Sequence, residues 1–520
     1  MGSALGLCSR LNVSDLGRVY ETSLDPTRRR RDGVHYTPRA VADELVARAF
    51  AAHGDELGSE EPFTVCDPTC GAGVFLLASA DALVAAGRTP LDALGCLRGM
   101  DIDPAALEVA RAELMAWARL HGVGDDGNEP SIVLVVGDAL NDPWPDDGHL
   151  DVVVGNPPFG GQVAGSTVRD DAAVQRAARI LGRPAGYTDT AGVLLVRALT
   201  AVRPGGSVVF VQPLSILGAR DGAVVRELVG EALESIWIPN TKLFDASVHV
   251  CAPVVRTPLV NRPATAATAA IPDWTGLASD AMGVPPLQLR GEPLSSLARC
   301  TAGFRHEFYE IAATVIEEET GSDSSSELPR LVTVGLIDPA RLLWGERDAR
   351  IAGTTFRRPV VDVSRLAQFP KLASVFSQRT RPKVLVATQT RVIEAIADDD
   401  GSLWPSVPVI SVLAHEDEPE MIDLLLAALF APPASVWAAR QAAGTARSPG
   451  AIRLSATLLE QVPLPTDRDL WINGARHLRA ARFAEAAQAL TEAHGLSEAE
   501  TEGVLAWWTP RSVRRKRGHG

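Results

Sequence analysis

Between residues 63 and 255 short apolar runs alternate with helical patterns, and acids or amides sit where four of those runs stop. The runs are 63–66, 97–101, 132–136, 150–154, 207–212 and 234–238, with a further edge or hairpin strand expected at 248–255. Helical patterns fill 73–86, 104–120 with Asp103 as N-cap, and 190–202, the last stopped by Pro204-Gly205-Gly206. Strands that alternate with helices predict an α/β fold, a Rossmann-like parallel sheet with helices on both faces. Such sheets bind ligands outside the carboxyl ends of their strands, which is where this chain places its polar residues.

The first of those ends reads Asp67-Pro68-Thr-Cys-Gly71-Ala72-Gly73 and opens a helix. Glycines there let the backbone approach a ligand closely. The G-x-G-x-x-G spacing of a pyrophosphate loop is missing, and a carboxylate stands at the start instead. An acid in that place suits a ligand with a positive centre. The next run ends in Asp101-Ile102-Asp103, where Asp101 is placed to accept both hydroxyls of a ribose and Ile102 to cover a purine face. Asp138 closes the third run, as an acceptor for an amino group.

The fourth run ends in Asn156-Pro157-Pro158-Phe159. Neither proline has an N–H, and each ring fixes φ, so the turn is stiff. It presents a side-chain carbonyl, a main-chain carbonyl and a ring to one small space. That combination suits an exocyclic amine on a flat heterocycle.

Together these residues resemble the S-adenosylmethionine-dependent N6-adenine DNA methyltransferases of the gamma motif order, over about residues 33–255. Gly33-Val-His-Tyr36-Thr37-Pro38 is similar to that family's upstream cofactor motif. The resemblance implies that Tyr36, Thr37 and Pro38 lie at the methionine end of S-adenosylmethionine, with Asp67, Pro68, Gly71 and Gly73 around its methionine and sulfonium. Asp101 would then hold the ribose, Ile102 the adenine face and Asp138 the adenine amino group. Asn156 to Phe159 would be the catalytic turn, also bordering the cofactor, and Phe244 in Pro239-Asn-Thr-Lys-Leu-Phe244 a second wall for the target base. Thr69, Ala72 and the Phe at position 159 depart from the commonest residues within accepted variation.

The 520 residues allow two or three domains. An N-terminal extension is expected over 1–32, a catalytic domain over 33–256, a Pro/Ala/Thr-rich linker over 257–299 and a helical segment with a basic tail over 467–520. Residues 300–466, mixed in pattern, more distantly resemble the target-recognition domains of the same enzymes, which implies a mixed α/β domain there. Two helices broken at Gly495 are expected in 475–508, and a surface loop in the acidic serine stretch 317–327. A formal net charge of −14 argues against a nucleic-acid partner until its distribution is considered. From 341 to 391 eleven lysines and arginines face three acids. Arg357, Arg358, Arg379, Arg381, Lys383 and Arg391 are therefore the candidate contacts to double-stranded DNA.

Six scattered cysteines carry no metal-ligand spacing and fit a reducing cytoplasm, with nucleoid DNA as the implied partner. No metal is expected. The apolar stretch 424–439 contains Pro432-Pro433 and is too short for a bilayer, so no membrane is expected either. RNA bases and protein glutamine amides are rival substrates for the same turn. A fused carboxylate–lysine nuclease is disfavoured, because no Glu-x-Lys triplet occurs among only four lysines, although a separate restriction or phage-defence partner stays open.

Overall fold

The computed structural model describes residues 37–123, 130–159, 171–184, 188–239, 249–259, 274–303, 305–318, 328–375, 380–416, 418–446 and 450–513. The chain divides into two compact units, Met1–Ala281 and Met282–Gly520. The division falls inside the stretch read as a connection.

The first unit is built on one sheet. Strands β1 (Val65–Asp67), β2 (Leu97–Asp101), β3 (Val133–Val136), β4 (Leu150–Gly155) and β5 (Val202–Phe210) run in the spatial order β3-β2-β1-β4-β5. All neighbouring pairs in this series are parallel. After them come β6 (Gln212–Pro213), β7 (Leu233–Trp237) and β8 (Val250–Arg256), with β8 antiparallel to β5, β6 and β7. The chain winds outward from β1 to β3 and then returns to β4 on the other side of β1. A crevice therefore opens between the carboxyl ends of β1 and β4.

Helices α1 (Arg39–Phe50), α2 (Val74–Ala85), α3 (Pro104–Leu120) and α4 (Thr190–Ala201) cover the sheet. Helix α1 has Pro38 at its N-cap and no side-chain cap bond, yet it buries Val41, Ala42, Leu45, Val46, Ala49 and Phe50. A missing cap costs about 0.5–2 kcal/mol, whereas each fully buried leucine or valine contributes about 1.5–3 kcal/mol. Packing holds this helix. Helix α3 has the expected cap, Asp103 accepting from the Ala105 N–H at 3.0 Å.

One expected stop lies elsewhere. Helix α4 ends at Ala201, and Pro204-Gly205-Gly206 belongs to the start of β5. Gly205, at φ +81°, donates its N–H to the Thr257 carbonyl, and the Thr257 N–H bonds Gly206. The glycines are paired as a strand, so they do not end the helix.

In the second unit, Val315–Glu317, Pro359–Val361, Arg330–Val332 and Leu403–Pro405 form one four-stranded sheet in that order. A second contains Ala395–Asp398, Lys383–Val386, Ile410–Ala414 and Ala298–Ala302. Three helices, Arg468–Arg479, Phe483–Glu492 and Glu498–Ser512, stand where two were expected. Gly495 makes the expected break at φ +67°, and Ala481 makes another at φ +54° that its sequence gives no sign of. Val384, Val412, Leu425, Phe430, Trp471, Leu490 and Trp508 share one core, so these helices pack with the second sheet. The apolar stretch around Pro432 is two helices bent by 59° and largely buried in that core. No single described helix is long and apolar enough to cross a membrane.

Candidate active site

Four chain segments meet at the crevice. Asp67 ends β1 and is 1% exposed. Its Oδ1 accepts the Thr69 N–H at 3.1 Å, and no basic side chain pairs with it among the described residues. Burial pushes its carboxyl up to about 8, the nearby Asp101 adding to the effect while the Thr69 N–H opposes it. A carboxyl in this state strongly favours a cation beside it.

The turn that follows is shaped by its glycines. Gly71 and Gly73 have φ of +51° and +88°, values that suit glycine. A Cβ on Gly73 would stand 3.1 Å from the Ala110 Cβ of α3, so the loop is also close-packed. The Gly71 N–H donates to Asp101 Oδ2 at 2.8 Å, and the Asp103 N–H donates to Oδ1 at 2.9 Å. Each Asp101 oxygen keeps a second acceptor site. Burial raises the Asp101 carboxyl too, against those backbone bonds. Ile102 beside it is 70% exposed, an aliphatic face presented at the strand end.

Asp138 lies just past β3, bonded to the Leu140 N–H at 2.9 Å and to the Asn141 side-chain amide. Pro68 and Pro157 are buried, Pro158 is half-buried, and Phe159 packs half-buried against the core of this unit. Tyr36 and Phe244 lie outside the described residues.

Two contacts were not legible in the sequence. The Asn156 Nδ2 donates to Thr37 Oγ1 at 3.0 Å, joining segments 119 residues apart. A Cβ on Gly155 would come within 2.5 Å of Asp67 Oδ1, so glycine there is what admits the Asp67 carboxyl. A glycine closing a run of three valines was the available signal. Gln212 was also missed: it is fully buried past the end of β5, its Nε2 donating to the Ala191 carbonyl at 2.9 Å.

Comparison with known proteins bears on this unit directly. The N-6 DNA Methylase family matches residues 12–255. This stretch of the chain is similar to that family along its whole length. A type II methyltransferase, M.VspI of Vibrio sp. (strain 343), is 32% identical over 153 residues, 29% of this chain and 31% of the relative. Another, M.CvrRI of Paramecium bursaria Chlorella virus XZ-6E, is 27% identical over 140 residues, 27% and 28% of the two chains. The matched stretch thus spans under a third of each relative's length. Among solved structures, the type IIL restriction-modification enzyme MmeI in complex with DNA aligns at a TM-score of 0.61 and 14% identity, covering 96% of this chain and 79% of that one. That likeness is one of fold.

S-adenosylmethionine is the cofactor of an N-6 DNA methylase domain. The residues present fit it: the buried Asp67 carboxyl has no cationic partner among the described residues, and Asp101 and Ile102 offer acceptors and an aliphatic face beside it.

The basic stretch of the second unit is less uniform than its sequence suggests. Lys383, expected to contact DNA, is fully buried and paired with Asp398, and its Nζ also donates to the Arg381 carbonyl at 3.1 Å. Burial pushes Asp398 up to about 6 and Lys383 down, each partly offset by the other's charge. Lys383 therefore braces its sheet and is not presented to a nucleic acid. Arg357 pairs with Asp348 at 3.1 Å, while Arg358 pairs with Glu318 and lies over Trp344. Arg381 is half-buried, and Arg379 lies outside the described residues. Arg391 is exposed and has no acid partner among the described residues.

Proposed function

We propose that this chain is a site-specific DNA methyltransferase that methylates the N6 amino group of adenine. The observation that carries the reading is the Asn156 carboxamide, held on Thr37, at the same crevice as a buried acid that has no cationic partner among the described residues, within a stretch matching the N-6 DNA Methylase family. When bound, S-adenosylmethionine supplies an electrophilic methyl group, whose bond to sulfur breaks as its bond to nitrogen forms and leaves its electrons on a neutral thioether.

The protein's task is to make the target nitrogen a better nucleophile. Its lone pair is shared with the purine ring. The Asn156 side-chain carbonyl and the Pro157 main-chain carbonyl accept its two N–H groups and turn the lone pair out of conjugation. They also stabilise the positive charge that grows on nitrogen. One of those protons passes to solvent after transfer, so no separate general base is required. Asp67 holds the cationic end of the cofactor, Asp101 its ribose hydroxyls, Ile102 its adenine face and Asp138 its adenine amino group.

A base inside a duplex cannot reach this crevice, so the adenine is flipped out. Phe159 and Phe244 stack on it, at about 1–3 kcal/mol per contact. The second unit binds the duplex and selects the site, with Arg381 and Arg391 supplying contacts to phosphates and base edges. A nuclease on a separate partner would make the pair a restriction–modification system.

Asn156→Ala tests the mechanism. Transfer of tritiated methyl to DNA should fall at least about 10³-fold, the upper range for removing one preorganised polar group. The calorimetric dissociation constant for S-adenosylmethionine should be nearly unchanged. Full activity in this variant sinks the assignment.

A further inference from the structure

The Thr37 hydroxyl is a buried group, 4% exposed, whose observed partner lies in the catalytic turn and not in its own helix. Thr37 precedes α1 by two residues, and α1 is anchored by six buried side chains. Asn156 follows β4, every residue of which is buried. The 3.0 Å bond from Asn156 Nδ2 to Thr37 Oγ1 therefore spans two elements that packing holds in place. An amide whose nitrogen is fixed has its carbonyl direction fixed as well, because the two atoms share one plane. Threonine is also suited to the task, since its β-branch restricts χ1 and keeps the acceptor oxygen in place.

From this geometry we propose that Thr37 is the positioning residue of the catalytic turn: it holds Asn156 by the amide nitrogen so that Oδ1 faces the target amine. The proposal rests on the methyltransferase reading above and adds to Thr37's expected place at the cofactor. A hydroxyl that accepts from Nδ2 still has its own proton to donate. One side chain can thus touch the cofactor's carboxylate and set the turn at once.

Two variants separate this role from simple cofactor contact. In Thr37→Val the shape is kept and the acceptor lost, while Thr37→Ser keeps the acceptor. Asparagine-selective ¹⁵N spectra of the cofactor-free protein, with Asn156→Ala identifying the signal, read the bond directly. Thr37→Val should shift the Asn156 side-chain amide and speed its exchange, and Thr37→Ser should leave it near its wild-type position. In methyl transfer at saturating DNA and cofactor, Thr37→Val should lose about 10²-fold in kcat, the scale of a misplaced reacting group. Its KM for S-adenosylmethionine should change much less, and Thr37→Ser should recover most of the rate. An unchanged Asn156 amide signal in Thr37→Val, or a loss confined to KM, overturns the proposal. If the wild-type protein methylates no DNA, the functional reading fails, and the amide spectra still decide whether Thr37 holds Asn156.

Discussion

Asp67 in the first unit and Lys383 in the second are both buried ionisable groups that their sequence contexts mark as ligand contacts, yet the fold treats them oppositely. Lys383 has an acid beside it, Asp398, itself bonded to the Leu403 N–H at 3.3 Å. Asp67 has one backbone N–H and no cation among the described residues. A buried charge with its partner supplied is a strut, because removing either member strands the other. A buried acid with no such partner is a receptor, since burial makes it wait for a positive ligand. Burial alone does not separate the two; the presence of a partner does.

The largest effect expected from breaking this contrast is on Lys383. Lys383→Met should destabilise the protein by about 3–5 kcal/mol in urea denaturation, the cost of stranding Asp398. Lys383→Met combined with Asp398→Leu should recover much of that loss. If Lys383→Met instead leaves stability unchanged and weakens DNA binding, the residue is a contact after all.

Asp67 should respond to pH. In the folded protein its carboxyl is raised to about 8, against an ordinary 3.8. Between those values the folded state holds a proton that the unfolded state has lost. Its contribution is therefore full below about pH 4 and disappears as pH rises through about 8, at about 1.4 kcal/mol per pH unit. Asp67→Asn should remove that slope relative to wild type and weaken cofactor binding. Wild-type affinity for S-adenosylmethionine should rise with pH up to about 8, as the carboxylate becomes easier to form. Parallel pH–stability curves for the two proteins contradict this account.

The smallest effect concerns the exposed arginines. Arg391→Ala should weaken DNA binding a few-fold and reduce the salt slope by about one, as for a single phosphate contact. An altered recognition sequence with an unchanged slope would place Arg391 on a base edge instead.

The sheet of the first unit was legible because strand-to-helix alternation and strand-end acids are local signals. Leu97–Asp101 and Pro104–Leu120 occupy the predicted residues, and Asp103 caps where expected. What was hidden is long-range. Nothing near Lys383 in the sequence announces that Asp398 folds against it, and nothing near Thr37 announces Asn156. The backbone at Ala481 escaped for another reason, because alanine carries no mark of a positive φ. Composition gave the second unit a basic stretch, but only the pairing with Asp348, Glu318 and Asp398 separates presented charges from satisfied ones.

The most direct test of the central claim is to incubate the purified protein with unmethylated double-stranded DNA and tritiated S-adenosylmethionine, digest the DNA to nucleosides and separate them. The account predicts label in N6-methyladenine at one sequence motif, and none with Asn156→Ala. Label in N4-methylcytosine, or in RNA or protein with DNA left unmodified, would contradict it.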